Sequence, residues 1–307
     1  MALDQIQLNL LKEVANIHEV PEGAYSLRIN GQLHGKNSSE NIVIEKKDDK
    51  PGIDIYIKDG TRNESLHIPV ILSQSGLKEL VYNDFHIGRD CDVTIVAGCG
   101  IHNAGDKATE HSGIHSFFVG ENSKVKYIEK HYGDGDGSGE NVMNPTTVVV
   151  CEKNSYMEME TAQIKGVDST DRSTKATLAE GSTLIVREKI MTHGKQFAKT
   201  NFDIELCGEG CHANAMSRSV AKDESYQEFT SMVRGNGQCS GRTECDAIIM
   251  DKARVVAIPQ IEANHPDAQL VHEAAIGKIA GEQLVKLMSL GLSEKKAEEV
   301  IINGFLK

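Results

Sequence analysis

VGENSKVKYIEK, residues 119–130, has three partial copies downstream: VCEKNSYMEMET from Val150, LAEGSTLIVREK from Leu178 and LCGEGCHANAMS from Leu206. Each opens on an apolar residue, crosses a short polar turn carrying Asn or Gly and usually Ser or Cys, and ends in alternation. The copies begin 31, 28 and 28 residues apart. A near-constant period of this length marks stacked units, none of which buries its apolar face alone. Two folds compete for such a pattern. One is an antiparallel sandwich with a hairpin at each turn; the other is a β-helix in which each repeat makes roughly one and a half coils. Few prolines, no tryptophan and the steady period favour the coil.

Outward from the repeat, short β-rich runs separated by Gly, Asn, Asp and Ser extend from Tyr25 to about Glu262 (IVIEKK, IDIYIKD, DVTIVAG, DIELCG, AIIMD). Before them, Leu3, Ile6, Leu10 and Val14 are spaced as a helix stripe, stopped by Pro21, Glu22 and Gly23. After them, Pro266 closes the β region and Ala268 to Lys307 reads as helical. Leu284, Leu287 and Met288 form one stripe ended by Gly291; Ser293 caps a second helix bearing Ala297, Val300, Ile301 and Phe305. The expected organisation is a helical segment over 1–23, a β core over 24–266 and a helical segment over 267–307.

The formal charge is −12, with 33 basic against 45 acidic residues, which speaks against nucleic acid or an anionic membrane as the main partner. The opening MALDQIQLNLLKEV is too polar for a signal peptide, and no run approaches 18 apolar residues, so the expectation is a cytoplasmic protein. Seven cysteines at uneven spacing do not make a disulfide framework. Each is then either a small packing residue or a soft ligand.

Several motifs fail on inspection. GIHNAGDK (100–107) misses a phosphate loop, because Asp106 stands where the lysine belongs. DGDGSGE (134–140) has the first spacings of a calcium loop, but Pro145 occupies the position of the bidentate acid, leaving a flexible acidic loop. His272-Glu273 is followed by Ile276 where a zinc protease has its second histidine. The chain is expected to catalyse no bond change by itself.

Soft donors remain. Cys239 and Cys245 are six apart, about 20 Å along a straight strand, unless Gly241 makes a corner. His272 and Glu273 would face opposite ways on a strand and sit about 100° apart on a helix. Cys151 and Cys207 share a turn register just after an apolar residue, so they and Cys211 read as packing positions. His111, His115, His131 and His193 are too dispersed to assign.

The run IMDKAR (249–254), the segment ANHPDAQLVHEAAIGKI (263–279), EQL (282–284) and the ending NGFLK (303–307) resemble the C-terminal part of the SufB/SufD family of iron–sulfur cluster assembly scaffolds, most of all its short archaeal and anaerobe members. CGIHN, GIHSFFVG, EKHYG, QIKGVDST and THGKQ extend the likeness over about residues 91–307. The resemblance implies a right-handed parallel β-helix with helical ends and a scaffold that holds nascent iron and sulfide near a protomer interface. It further implies dimerisation, here as a homodimer, and a SufC-like ABC ATPase docked on the C-terminal helices. It puts Cys245, Cys239, His272 and Glu273 forward as ligands of a transient cluster, with Cys99 and His102 behind them, and leaves a flavin and the sulfur donor open. One departure stands out: the SufB type has a cysteine in the segment Asp-Lys-Cys, where this chain has Ala253. The alternative is a β-helix adaptor whose thiols are buried and inert.

Overall fold

The structure is a computed structural model that describes residues 3–15 and 23–307. The expected helix stop at Pro21 and Glu22 lies outside the described residues. Helix α1 (Gln5–Ala15) is followed by β1 (Ala24–Ile29), β2 (Gln32–Asn37), β3 (Ile42–Lys46), β4 (Gly52–Ile57), β5 (Arg62–Leu72), β6 (Lys78–Ile87), β7 (Asp92–His102), β8 (Thr109–Val119), β9 (Lys124–Asp134), β10 (Asn141–Met143) and β11 (Thr146–Cys151). Then come β12 (Tyr156–Lys165), β13 (Ser169–Leu178), β14 (Thr183–Thr192), β15 (Phe197–Leu206), β16 (His212–Ala221), β17 (Tyr226–Gly235), β18 (Ser240–Ile249), β19 (Arg254–Ala263), β20 (Gln269–Gly277), α2 (Gly281–Ser289) and α3 (Glu294–Phe305).

From β5 onward successive strands alternate between two parallel sheets, with β10 and β11 sharing one place in the second sheet, so the chain winds as a β-solenoid. Antiparallel pairing is confined to the hairpin pairs β1–β2 and β3–β4 at the N-terminal end. Each period of the sequence repeat is one complete turn with one strand in each sheet, not one and a half coils: Val93 pairs with Val125, and Tyr156 with Thr183. The ladder also shifts the sequence alignment by one residue. Val119, Cys151, Leu178 and Leu206 are the register partners. Cys151 is therefore buried in the apolar core, whereas Cys207 is exposed.

The polar turn of the repeat has a physical basis. Asp90, Asn122, Asn154, Gly181 and Gly210 adopt left-handed backbone, which Asn, Asp and Gly tolerate best. The next residue turns inward at the corner, giving a buried column of Thr61, Cys91, Ser123, Ser155, Ser182, Cys211 and Cys239. The hydroxyls of Thr61, Ser155 and Ser182 donate to the carbonyl three residues back, at 2.7 Å each. Cysteine is the small residue that replaces Ser at this corner.

Helix α1 lies on the outer face of the sheet formed by β5, β7 and β9, burying Leu10, Leu11 and Val14. Gly98 and Gly100 allow the approach: a Cβ on Gly98 would sit 2.7 Å from the Val14 carbonyl oxygen, and one on Gly100 3.0 Å from the Leu10 Cβ. The glycine-rich run 134–140 is not a flexible acidic loop. It stacks on 103–107, with Gly137 N–H donating to Asn103 O at 3.1 Å and Gly139 N–H to Gly105 O at 3.0 Å.

The β region runs past Pro266. Residues 269–277 form strand β20 rather than helix, because Gln269 N–H donates to Cys239 O and the ladder with β18 continues to Gly277. Helix α2 begins only at Gly281; Gly291 (φ +93°) ends the link and Ser293 caps α3, as expected from the sequence. Ile302 and Leu306 pack on Val220, while α2 buries no residue. Strands β19 and β20 are the edges of the two sheets at the C-terminal end, and β2 and β3 those at the other. Arg254 and Asn264 donate inward to β17, so by alternation Pro259 belongs to the set facing the free edge and costs no ladder bond. Among the described residues no helix is long and apolar enough to cross a membrane.

Replacing Gly98 with valine is expected to destabilise the chain by about 1–3 kcal/mol by overpacking the α1 contact. Urea unfolding measures the loss, and limited proteolysis should cut first within residues 5–15; unchanged stability and protection would contradict the packing role given to Gly98.

Candidate functional site

Strict alternation on the strands decides what faces the interior, and along one side of the solenoid the inward positions are polar. Register stacks Glu129, Thr161, Glu188, Ser217, Cys245 and Ala274 in one column. Beside it run Tyr127, Met159, Val186, Ala215, Thr243 and His272. Cys99 pairs with His131, beginning the column on the other side.

The buried charges compensate one another. The Arg172 guanidinium lies between two carboxylates, 3.2 Å from Glu129 and 3.2 Å from Glu188. Burial pushes the Glu129 carboxyl up, but His131 and Arg172 outweigh it and hold the group well below the usual carboxylate range. At Glu188 burial prevails over Arg172, and the carboxyl is raised although Ser217 and Thr200 donate to it at 2.8 and 3.1 Å. Tyr127 links Glu129 (2.9 Å) to His115 (2.8 Å), whose imidazole burial lowers to about 4. At the N-terminal end Glu79 joins Arg28 at 2.7 Å and His111 at 3.2 Å. His111, His115 and His131, dispersed in the sequence, thus converge with Cys99 and Glu129 around an internal cavity of about 10 Å³.

The structure separates several residues that the sequence grouped. Strand β18 runs unbroken through Gly241, so no corner forms; Cys239 sits in the corner column and Cys245 about 20 Å away. Cys99 is five strands of the same sheet from Cys245, about 24 Å at the usual strand spacing. Cys99 is buried, and burial raises its thiol well above the ordinary value; His102 faces the other way and pairs with Asp134 at 2.7 Å. Glu273 and His272 point to opposite faces of β20. Glu273 lies outside, 2.6 Å from Arg242, and does not join the imidazole.

What remains together is Cys245 and His272, diagonal neighbours on the inward face of the last two strands of this sheet. Cys245 lines a second cavity of about 10 Å³ with Thr200, Ser217, Ser219, Gln227 and Phe229. Burial, with the nearby Glu188 charge, pushes its thiol up to about 12. His272 is bonded through Nδ1 to Thr243 Oγ1 at 2.7 Å, and its Nε2 is buried with no hydrogen-bond partner among the described residues. Burial lowers the imidazole's pKa, so it is neutral and a competent donor at neutral pH. Two donors do not complete a site, and among the described residues no group of three or more His, Cys, Asp or Glu is arranged to hold a metal ion. The last turn lacks a cover: Ile258, Ile261 and Val271 are exposed at the free end.

Sequence reasoning missed Arg172, Glu129, Glu188 and Thr243. Their signal was a charged or hydroxyl residue at inward parity, as in KYIEK and IVREK, legible only once the strand phase was fixed.

An Arg172→Met variant leaves two buried carboxylates without their cation and should lose about 3–5 kcal/mol of stability at neutral pH. The Glu188 carboxyl, already raised by burial, then rises further above its unfolded value, so its protonation stabilises the variant as pH falls. Its deficit in urea unfolding should be smaller at about pH 5.5 than at about pH 7.5; an equal or larger deficit at the lower pH would contradict the charge role. With a thiol reagent near neutral pH, mass mapping should find Cys207 labelled first. Cys245 should react on the order of a thousandfold slower than a free thiol, because so little of it is thiolate. Rapid labelling of Cys245 would contradict its burial.

The profile of the SUF system FeS cluster assembly, SufBD core domain matches residues 80–305. An iron-sulfur cluster assembly SufBD family protein of Pyrococcus horikoshii is 28% identical over 283 residues, covering 90% of this chain and 84% of that protein. One from Methanocaldococcus jannaschii is 25% identical over 272 residues, covering 87% and 85%. The iron-sulfur cluster assembly protein SufB of Bacillus subtilis is 29% identical over 187 residues, covering 54% of this chain and 37% of that protein. With the family profile spanning most of the solenoid and both C-terminal helices, this chain belongs to the SufBD family of iron–sulfur cluster assembly proteins.

Proposed function

We propose that this chain is a scaffold subunit on which iron and sulfide are joined, with Cys245 and His272 as its donors to the nascent cluster. The observation that carries the reading is their placement at the open end of the solenoid: an inward thiol beside an imidazole whose Nε2 is buried and unpartnered. Thiolate and imidazole are the donors that iron–sulfur chemistry takes. Cys245 is protonated in the empty protein, and bound iron would displace its proton. Cys239 and Glu273 fall outside this set on geometry, and so do Cys99 and His102.

The set is completed by a second copy. Strands β19 and β20 leave unpaired backbone groups at the end where both donors lie, and a two-fold pairing there would bring two thiols and two imidazoles together. ATP-driven work belongs to a separate SufC-like ATPase docked on α2 and α3, where Val285, Met288 and Leu290 are exposed. Nucleotide-driven movement of that partner would strain the protomer interface and gate access to the cluster. The adaptor reading draws on the same burial of the thiols and differs in predicting no cargo.

The test is iron and acid-labile sulfide per chain after strictly anaerobic co-purification with a SufC-like ATPase. The expected result is near-equal iron and sulfide with visible absorption, and loss of most of both in Cys245→Ala and in His272→Ala. A colourless complex that resists reconstitution, or variants that load like the parent, would move the function to the adaptor.

A further inference from the structure

We infer that Thr243 is a positioning residue for His272: it fixes the imidazole as the Nδ1–H tautomer and so presents Nε2, unprotonated, at the open end of the solenoid. The inference rests on the reading of His272 as a cluster donor and adds the residue that sets which nitrogen is offered. Thr243 is 1% exposed and lies directly opposite His272 in the ladder between β18 and β20. Its Oγ1 is 2.7 Å from Nδ1. The Phe229 ring stacks against the imidazole at 6.5 Å between centroids and 27° between planes, which limits rotation of the ring.

Three arguments point the same way. The three positions before Thr243 in its column are Ala215, Val186 and Met159, so packing there asks for an apolar side chain, and valine would fill the same volume. The hydroxyl is therefore present for its bond. Next, the imidazole has one proton to place. With Thr243 donating to Nδ1, that proton sits on Nε2, buried on a fixed ring with no acceptor among the described residues, an unfavourable arrangement. With Nδ1–H donating to Oγ1, the ring strands no proton and Nε2 keeps its lone pair. Finally, Cys245 faces the same interior two residues further along β18. The strand that carries the thiol thus also orients the imidazole.

The test uses the full chain with 15N-labelled histidine, the His272 signals being assigned by their loss in His272→Gln. Long-range 1H–15N correlation should show His272 as the Nδ1–H tautomer in the parent, and as a mixture or the Nε2–H form in Thr243→Val. Thr243→Ser should restore the parent pattern. Co(II) alone, followed by its absorption, should bind 10–100-fold more weakly to Thr243→Val, with Thr243→Ser close to the parent; that is the usual effect of removing a partner that orients a ligand. Urea midpoints of the variants exclude unfolding as the cause. An Nε2–H tautomer in the parent, or equal Co(II) affinity and spectrum in Thr243→Val, would overturn the inference. A parent chain that is Nδ1–H yet binds no Co(II) would support the positioning of the ring and count against His272 as a metal donor.

Discussion

An in-register parallel ladder sets every inward side chain against the inward side chains of the turns before and after it, about 4.8 Å away. No charge can enter such a stack without a partner within reach, because burial of an isolated ion costs several kcal/mol. Arg172 meets this condition between Glu129 and Glu188, and Arg28 meets it with Glu79. The polar side of the solenoid follows from that rule applied turn after turn, while the apolar side carries Phe117, Met159, Phe202 and their neighbours in one continuous core.

The same rule relaxes at the last turn. Inward residues of β18 still have β20 and β16 on their two sides, but those of β20 have a neighbour on one side alone. His272 is the residue on which this asymmetry falls, since Thr243 satisfies one ring nitrogen and none of the described residues satisfies the other. On the scaffold reading proposed above, a labile inorganic cargo needs donors that the fold positions and leaves unspent, and the end of a solenoid would supply such a place without any special loop.

Much of the architecture was legible from the sequence because the turn chemistry recurs. The left-handed Asn, Asp or Gly followed by an inward Ser or Cys repeats once per turn, and Val119, Leu178 and Leu206 were read on the right column. Cys151 was misplaced by one residue, since Val150 before it is also apolar and only the ladder fixes the phase. The segment 269–277 was read as helix because Ala274, Ala275 and Ile276 favour it locally; pairing with β18 overrides that preference. The donor pair was half legible. Cys245 and His272 were singled out by kind, but their common face and the outward turn of Glu273 depend on strand parity, and the distance of Cys239 on the strand running straight through Gly241. Thr243 and Arg172 carry only the signal of inward parity, and their roles depend on residues 29 and 43 positions away.

A solenoid is also a polymer in miniature, and its bare end is a surface on which further chains could add indefinitely. Pro259 lies midway along one of the two edges at that end, in the set of residues whose N–H would face outward. A strand laid along β19 therefore meets a missing donor halfway. That gap does not disturb the turn beneath, yet it breaks the continuity a growing filament requires. The end is thereby suited to a limited, closed association and poorly suited to a fibre.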